Sequence, residues 1–273
     1  MNLFAVNAMK VNDPKYQIIL TNTHNALRHN CWKYIVTHDI DYKLLGIDPE
    51  KNIDQQSADL HKYIIQCAGH DAYSMVSHIE SIIVANCIGS IDEPYATVGS
   101  VTTKDVARKF VVEILTRWEI TKDLIIFETL TTREEIEGLS IALQKVRIDN
   151  FAIGLTCNSD GRTFGGVSMA ESVELLSPFN PQAYFIQCTR YDLVEKALLK
   201  LSKAVRSNTL IGVYANDGRG WDGNKKEWIG DRVTPAIYAE FAKRWYDAGA
   251  MIIGGCCGTR PEHIAELHKV FSI

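Results

Sequence analysis

Seven short apolar runs, each closed by polar or glycine-containing turns, most limit how this chain can fold. They lie at 17–23, 81–87, 124–129, 152–156, 183–188, 210–215 and 251–254. Most are continuous rather than alternating, as in Leu124-Ile125-Ile126-Phe127. A strand that is apolar on both faces has to be covered on both, the condition of a parallel sheet wrapped in helices. The stretches between have helical spacing, at 58–78, 104–119, 132–146, 168–176, 192–205 and 234–248, and a closing helix runs from Pro261 through Leu267. Thr132-Arg133-Glu134-Glu135 has the form of a capping box, and Gly249 that of a helix stop. Strands alternating with helices in this way read as βα units. A chain of 273 residues suits one α/β barrel domain over 1–273, because barrels of this class run to about 250 residues. Seven strands are one short of a closed eightfold barrel.

Charge and composition exclude several functions. The net charge is −4 and the Lys and Arg residues are spread along the chain, so no basic stripe for nucleic acid and no polybasic membrane patch forms. No run reaches the roughly 18 apolar residues of a membrane span. The segment from Met1 to Asn7 lacks the cationic start and long apolar run of a signal peptide. Seven cysteines without a secretory signal point to reduced thiols and a cytoplasmic location.

Polar and unusual residues gather where the runs end: Thr21-Asn22-Thr23, Asn86-Cys87, Glu128-Thr129, Cys188, Asn216-Asp217 and Cys256-Cys257. In a barrel the loops after the strands share one face, where catalysis is found. The segment 30–52, broken at Asp48-Pro49, reads as a long irregular excursion, and the Gly-rich loop 217–224 as a mobile lid. That loop could cradle phosphate but lacks the Lys-Ser/Thr ending of a P-loop.

The cysteines carry the sharper signal. Cys31, Cys67 and Cys87 sit beside apolar residues in helical or strand contexts and read as buried structural thiols. Met251-Ile252-Ile253-Gly254-Gly255-Cys256-Cys257-Gly258 places a vicinal pair at the end of a strand, flanked by glycines that discourage close packing around it. Zinc asks for more ligands than one pair supplies. On spacing alone a third thiolate comes from Cys188 or Cys157, and inert core thiols are the alternative.

These blocks resemble the homocysteine S-methyltransferase family, a zinc-dependent methyl-acceptor barrel. The likeness rests on Ile18-Ile19-Leu20-Thr21-Asn22-Thr23 and on Ala85-Asn86-Cys87-Ile88-Gly89-Ser90-Ile91, similar to the family's Gly-Ser-Ile-Gly stretch. It continues with Asp123-Leu124-Ile125-Ile126-Phe127-Glu128-Thr129, Ile186-Gln187-Cys188 and Val213-Tyr214-Ala215-Asn216. It ends with Trp245, Gly249-Ala250 and 253–264. Together these cover about 17 to 267. The resemblance implies a TIM-type (β/α)8 barrel with Cys188, Cys256 and Cys257 as zinc ligands. It leaves Cys157 one strand away from any ligand position. It further implies that Glu128 holds the amino group of homocysteine and that Asn216 lines the same face.

The implied activity is methyl transfer from a small donor, S-methylmethionine or S-adenosylmethionine before betaine, to the thiol of homocysteine, giving methionine. Tyr214, Trp221 and Trp228 are the aromatic residues available to face a cationic donor. Three departures stand out. The family's opening strand with Asp-Gly-Gly is absent, and 3–9 is the candidate for a short replacement; without one the sheet has an open seam. Acids follow the Ser-Ile, in Asp92-Glu93-Pro94, and Gln187 replaces the usual Asn. A zinc- and homocysteine-binding barrel with a regulatory role is the alternative reading.

Overall fold

Each of the seven apolar runs falls on a strand in the computed structural model, which describes residues 6–10, 13–21, 82–91, 95–118, 124–222 and 227–271. In chain order the strands are β1 (Val6–Lys10), β2 (Asp13–Thr21), β3 (Ile82–Ile88), β4 (Leu124–Leu130) and β5 (Phe151–Leu155). They continue with β6 (Ala183–Arg190), β7 (Leu210–Asn216), β8 (Gly220–Asp222), β9 (Glu227–Ile229) and β10 (Ile252–Gly255). The helices are α1 (Thr103–Trp118), α2 (Arg133–Lys145), α3 (Met169–Leu176), α4 (Val194–Ala204), α5 (Pro235–Asp247) and α6 (Pro261–Phe271). The expected helix at 58–78, the excursion at 30–52 and the thiols Cys31 and Cys67 lie outside the described residues.

The sheet closes into a barrel in the order β1-β10-β7-β6-β5-β4-β3-β2. The open seam expected from seven strands is filled by β1, which runs antiparallel to both neighbours. Met9 pairs with Ile253 of β10, and Asn7 with Ile19 of β2. The remaining neighbours in the barrel are parallel. Only Val11 and Asn12 separate β1 from β2. A parallel return needs a crossover of about a dozen residues, so so short a link permits only a hairpin.

Alternation along each strand divides the core in two. Ala85, Cys87, Leu124, Ile126, Ala152, Phe185, Tyr214 and Ile252 fill the barrel interior. Ile125, Phe127, Ile153, Tyr184, Ile186, Val213 and Ile253 pack outward against the helices. The capping box forms: Thr132 accepts from the Glu135 amide at 3.3 Å, and Glu135 accepts from the Thr132 amide at 3.3 Å. Ser168 and Glu171 form a second box at the start of α3. Tyr238 on α5 points its hydroxyl at the carbonyls of Ala215 and Gly254, both at 2.9 Å, and so pins the ends of β7 and β10 together. The Gly-rich loop read as a lid contains β8, which pairs antiparallel with β9 just beyond it in a two-stranded ribbon. No helix among the described residues is long and apolar enough to cross a membrane.

Candidate metal and substrate site

The site forms where β4, β6, β7 and β10 run out at one end of the barrel. Along β6, Tyr184 and Ile186 belong to the outer core and Phe185 to the inner one, so strict alternation would turn Cys188 outward. Instead Cys188 has a left-handed φ of 42°, and the register between β6 and β7 slips between Gln187 and Arg190. This is a bulge that re-aims a side chain. It carries Cys188 to Cys256, to which it is joined as a disulfide with Cα atoms 5.7 Å apart. Cys257 is a free thiol whose Sγ lies 3.9 Å from that of Cys188 and 4.0 Å from that of Cys256.

All three sulfurs lie within 4.8 Å of one another. Thiolates held about 2.3 Å from one tetrahedral ion stand about 3.8 Å apart, so both Cys257 distances already suit a shared ion. Only the Cys188–Cys256 bond must be reduced for all three to serve. Burial, followed by the charges of Glu128 and Asp217, pushes the Cys257 thiol up to about 11. Near neutral pH it therefore keeps its proton unless a cation takes that proton's place. The donor set fits a soft divalent metal. Cys157, the competing thiol, is fully buried in the outer core and pushed up to about 12 by burial. Its amide donates to Thr189 Oγ1 at 2.8 Å, which makes it part of the support of the bulge.

The carbonyl of Cys188 accepts from Asn216 Nδ2 at 3.2 Å and from Tyr95 Oη at 3.3 Å. Asn216 Oδ1 in turn accepts from the Gly218 amide at 3.2 Å. Asn216 thus lies on the expected face, with both amide atoms engaged on backbone that shapes the cysteine cluster. Asp217, the next residue, is fully buried and accepts from Arg219 Nε and Arg232 Nε, each at 2.8 Å. Its own amide donates to the Cys257 carbonyl at 3.0 Å. Gly258 has a φ of 76°, and a Cβ there would lie 2.0 Å from Asp217 Oδ2. The turn after the vicinal pair is therefore built directly onto this carboxylate.

Glu128 continues the inward set of Leu124 and Ile126 and is only 7% exposed. Its Oε1 accepts from Tyr214 Oη at 3.2 Å. Burial raises its pKa from 4.5 to about 7, opposed by hydrogen bonds from Cys87 and Tyr214. The next residue, Thr129, has a φ of 58°, and the register between β4 and β5 slips between Phe127 and Leu130. Tyr214, expected among the aromatic residues near a donor, is instead buried inside the barrel beside Glu128. The side chains of Trp221 and Trp228 lie outside the description. Tyr95 and Phe164 form an edge-to-face pair, centroids 5.3 Å apart, beside Cys188.

Glu135 is the other residue whose role exceeds its sequence signal. Fully buried, it accepts from Ser90 Oγ at 2.6 Å and from the amides of Ile91, Thr131 and Thr132 at 2.9, 3.0 and 3.3 Å. One carboxylate so fastens the Gly89-Ser90-Ile91 loop to the loop after β4. The neighbouring acids Asp92 and Glu93 lie outside the described residues.

A family model described as homocysteine S-methyltransferase matches residues 13–271. Homocysteine S-methyltransferase 3 of Arabidopsis thaliana is 31% identical over 215 residues, 74% of this chain and 60% of the relative. Homocysteine S-methyltransferase 1 of Zea mays is 30% identical over 151 residues, 54% of this chain and 46% of the relative. The chain spans about half the length of the curated relatives it matches. The metallated form of the homocysteine methyltransferase MmuM from Escherichia coli shares the fold, with a TM-score of 0.62, 20% identity, and coverage of 90% of this chain and 87% of that one. The family match runs from β2 through α6 and takes in every cysteine of the cluster; the chain belongs to the homocysteine S-methyltransferase family.

Proposed function

We propose that this barrel moves a methyl group from a small donor to the thiol of homocysteine, giving methionine, with zinc held by Cys188, Cys256 and Cys257. The observation that carries the reading is the convergence of Cys188 with the vicinal pair, which strand alternation alone would have prevented. That a relative in fold has a metallated form supports a metal here. Zinc, when bound, supplies the charge that lets the homocysteine thiol lose its proton near neutral pH and stay nucleophilic. In the transfer a sulfur–methyl bond forms on homocysteine as the donor's bond to the same methyl breaks, and the thiol proton goes to solvent.

The chain's own residues place the substrate. Glu128 faces the amino group, and as a carboxylate it gives an ammonium a partner that the buried site otherwise lacks. Asn216 and Tyr95 hold the backbone of Cys188 in its left-handed conformation, keeping its sulfur in the cluster. The Tyr95–Phe164 pair offers aromatic surface to a positively charged donor, which favours S-methylmethionine or S-adenosylmethionine.

The test is direct. Reduced protein supplied with zinc is incubated with homocysteine and each of S-methylmethionine, S-adenosylmethionine and betaine, and methionine is quantified beside metal content. Zinc near one per chain, with methionine from a sulfonium donor, is expected. Zinc bound with no methionine from any donor would overturn the transfer reaction and leave a binding barrel. Absence of zinc would overturn the site itself.

A further inference from the structure

Just below the mouth, three side chains share too few protons. Tyr214 Oη lies 3.2 Å from Glu128 Oε1 and in close contact with Gln187 Oε1. Two acceptors thus face one phenolic proton, while Gln187 Nε2 is buried without a partner. The oxygen and nitrogen of a terminal amide are assigned by the hydrogen bonds they make, so the amide's orientation follows from its neighbours. Rotated by 180°, it donates from Nε2 to Tyr214 Oη, and the phenolic proton passes undivided to Glu128.

We propose that Gln187 is a positioning residue for Glu128: its amide holds the Tyr214 hydroxyl so that the phenolic proton is committed to the carboxylate. The chain of donors runs across the barrel from β6 through β7 to β4. Gly154 on β5 makes room for it, since a Cβ there would come within 2.4 Å of the Gln187 amide oxygen and 2.7 Å of its Cδ. The amide therefore packs against the Gly154 backbone, where any side chain would displace it. Held at Oε1 by Tyr214, with Cys87 as its second donor, the carboxylate keeps a fixed rotation in which it meets the incoming ammonium. This last step rests on the reading that Glu128 binds the amino group of homocysteine. Cys87 on β3 and Cys257 beyond β10 are the other titratable groups that act on Glu128 among the described residues.

The experiment uses zinc-loaded protein carrying 13C-labelled glutamate side chains. Two quantities are followed: the titration midpoint of Glu128 without homocysteine, and homocysteine affinity by calorimetry from pH 6 to pH 9. Gln187→Met keeps the length and removes the amide; Gln187→Leu replaces it if the Met variant does not fold. The midpoint should rise by about half a pH unit in the Gln187 variant, with homocysteine binding near neutral pH weakened about threefold. Tyr214→Phe should weaken it about tenfold, and the double variant no further than Tyr214→Phe alone.

The opposite amide orientation makes the opposite forecast. There Gln187 competes for the phenolic proton, so its removal would lower the midpoint. A lowered or unchanged midpoint, or effects of the two substitutions that add, overturns the proposal. A raised midpoint with unchanged homocysteine affinity leaves the positioning intact and refutes the amine-binding role of Glu128 instead.

Discussion

Glu128 makes the fold less stable at the pH where it is expected to work. Its carboxyl is buried and its pKa rises from 4.5 to about 7, chiefly because burial disfavours the charge. In the window between those two values the folded protein binds a proton more tightly than the unfolded chain. Stability therefore falls as pH rises from about 4.5 to about 7 and stays level above. At about 1.4 kcal/mol per pH unit the loss is about 3 kcal/mol. Glu128→Gln keeps an oxygen to accept from Tyr214 and cannot ionise. The variant should match the parent at pH 4 and exceed it by about 3 kcal/mol at pH 8, an increase in Tm of about 6 °C or more.

The assay is a pH series of thermal or urea unfolding on both proteins, in reductant and chelator, so that residue 128 is the only difference between them. Homocysteine affinity is measured in parallel on zinc-loaded protein, and the more stable variant should bind about tenfold more weakly. A stability difference that is flat with pH, or a variant weaker than the parent at pH 8, would refute the account. It would mean that the carboxylate's charge is compensated in the folded protein.

Four further substitutions test the surroundings. Cys256→Ser should sharply reduce zinc content by elemental analysis, while Cys157→Ser leaves it near normal, because Cys157 lies in the outer core away from the cluster; the reverse would move the third ligand to β5. Glu135→Ala removes the carboxylate that the buried Thr131 and Thr132 amides, the part-buried Ile91 amide and the Ser90 hydroxyl donate to, and should cost about 3–5 kcal/mol in urea unfolding, whereas a loss under about 1 kcal/mol would show that water replaces it. Gly258→Ala drives a methyl into an Asp217 carboxylate that two arginines hold still, at a position with φ of 76°. It should lower zinc affinity at least tenfold along with Tm, and normal zinc affinity would separate that turn from the site.

The parts of the fold that were legible are those set by local chemistry. Strands buried on both faces show as continuous apolar runs, and Leu124–Leu130 is one. The box at Thr132 and Glu135 declares the start of α2, since its donors and acceptors are three residues apart. The closing strand, Val6–Lys10, was legible only as a candidate at 3–9, for the converse reason. Val6-Asn7-Ala8-Met9-Lys10 is short and mixed in polarity, and what makes it a barrel strand is a partner at Ile253, nearly the whole chain away. The pairing of Asp217 with Arg232 and the second duty of Glu135 toward Ser90 are long-range in the same sense.

At the site the division is sharper. Glu128 was readable from the resemblance and from its place where a strand ends, and the structure adds its inward parity with Leu124 and Ile126. Spacing offered Cys188 and Cys157 alike, and only the resemblance chose Cys188, because its parity points the wrong way. Thr129 and Cys188 are two of only three non-glycine residues with positive φ among the described residues, and each falls within a register slip at the end of its strand. A β-branched threonine in that conformation is an outlier, costing of order 1–3 kcal/mol, so surrounding bonds must hold it there. They do: Thr129 Oγ1 accepts from the Ser90 amide at 3.2 Å, and the Cys188 carbonyl accepts from Asn216 and Tyr95. No local preference of threonine or cysteine encodes this backbone. Neighbouring strands impose it, and the two places where they do so are those that present the carboxylate and the third sulfur.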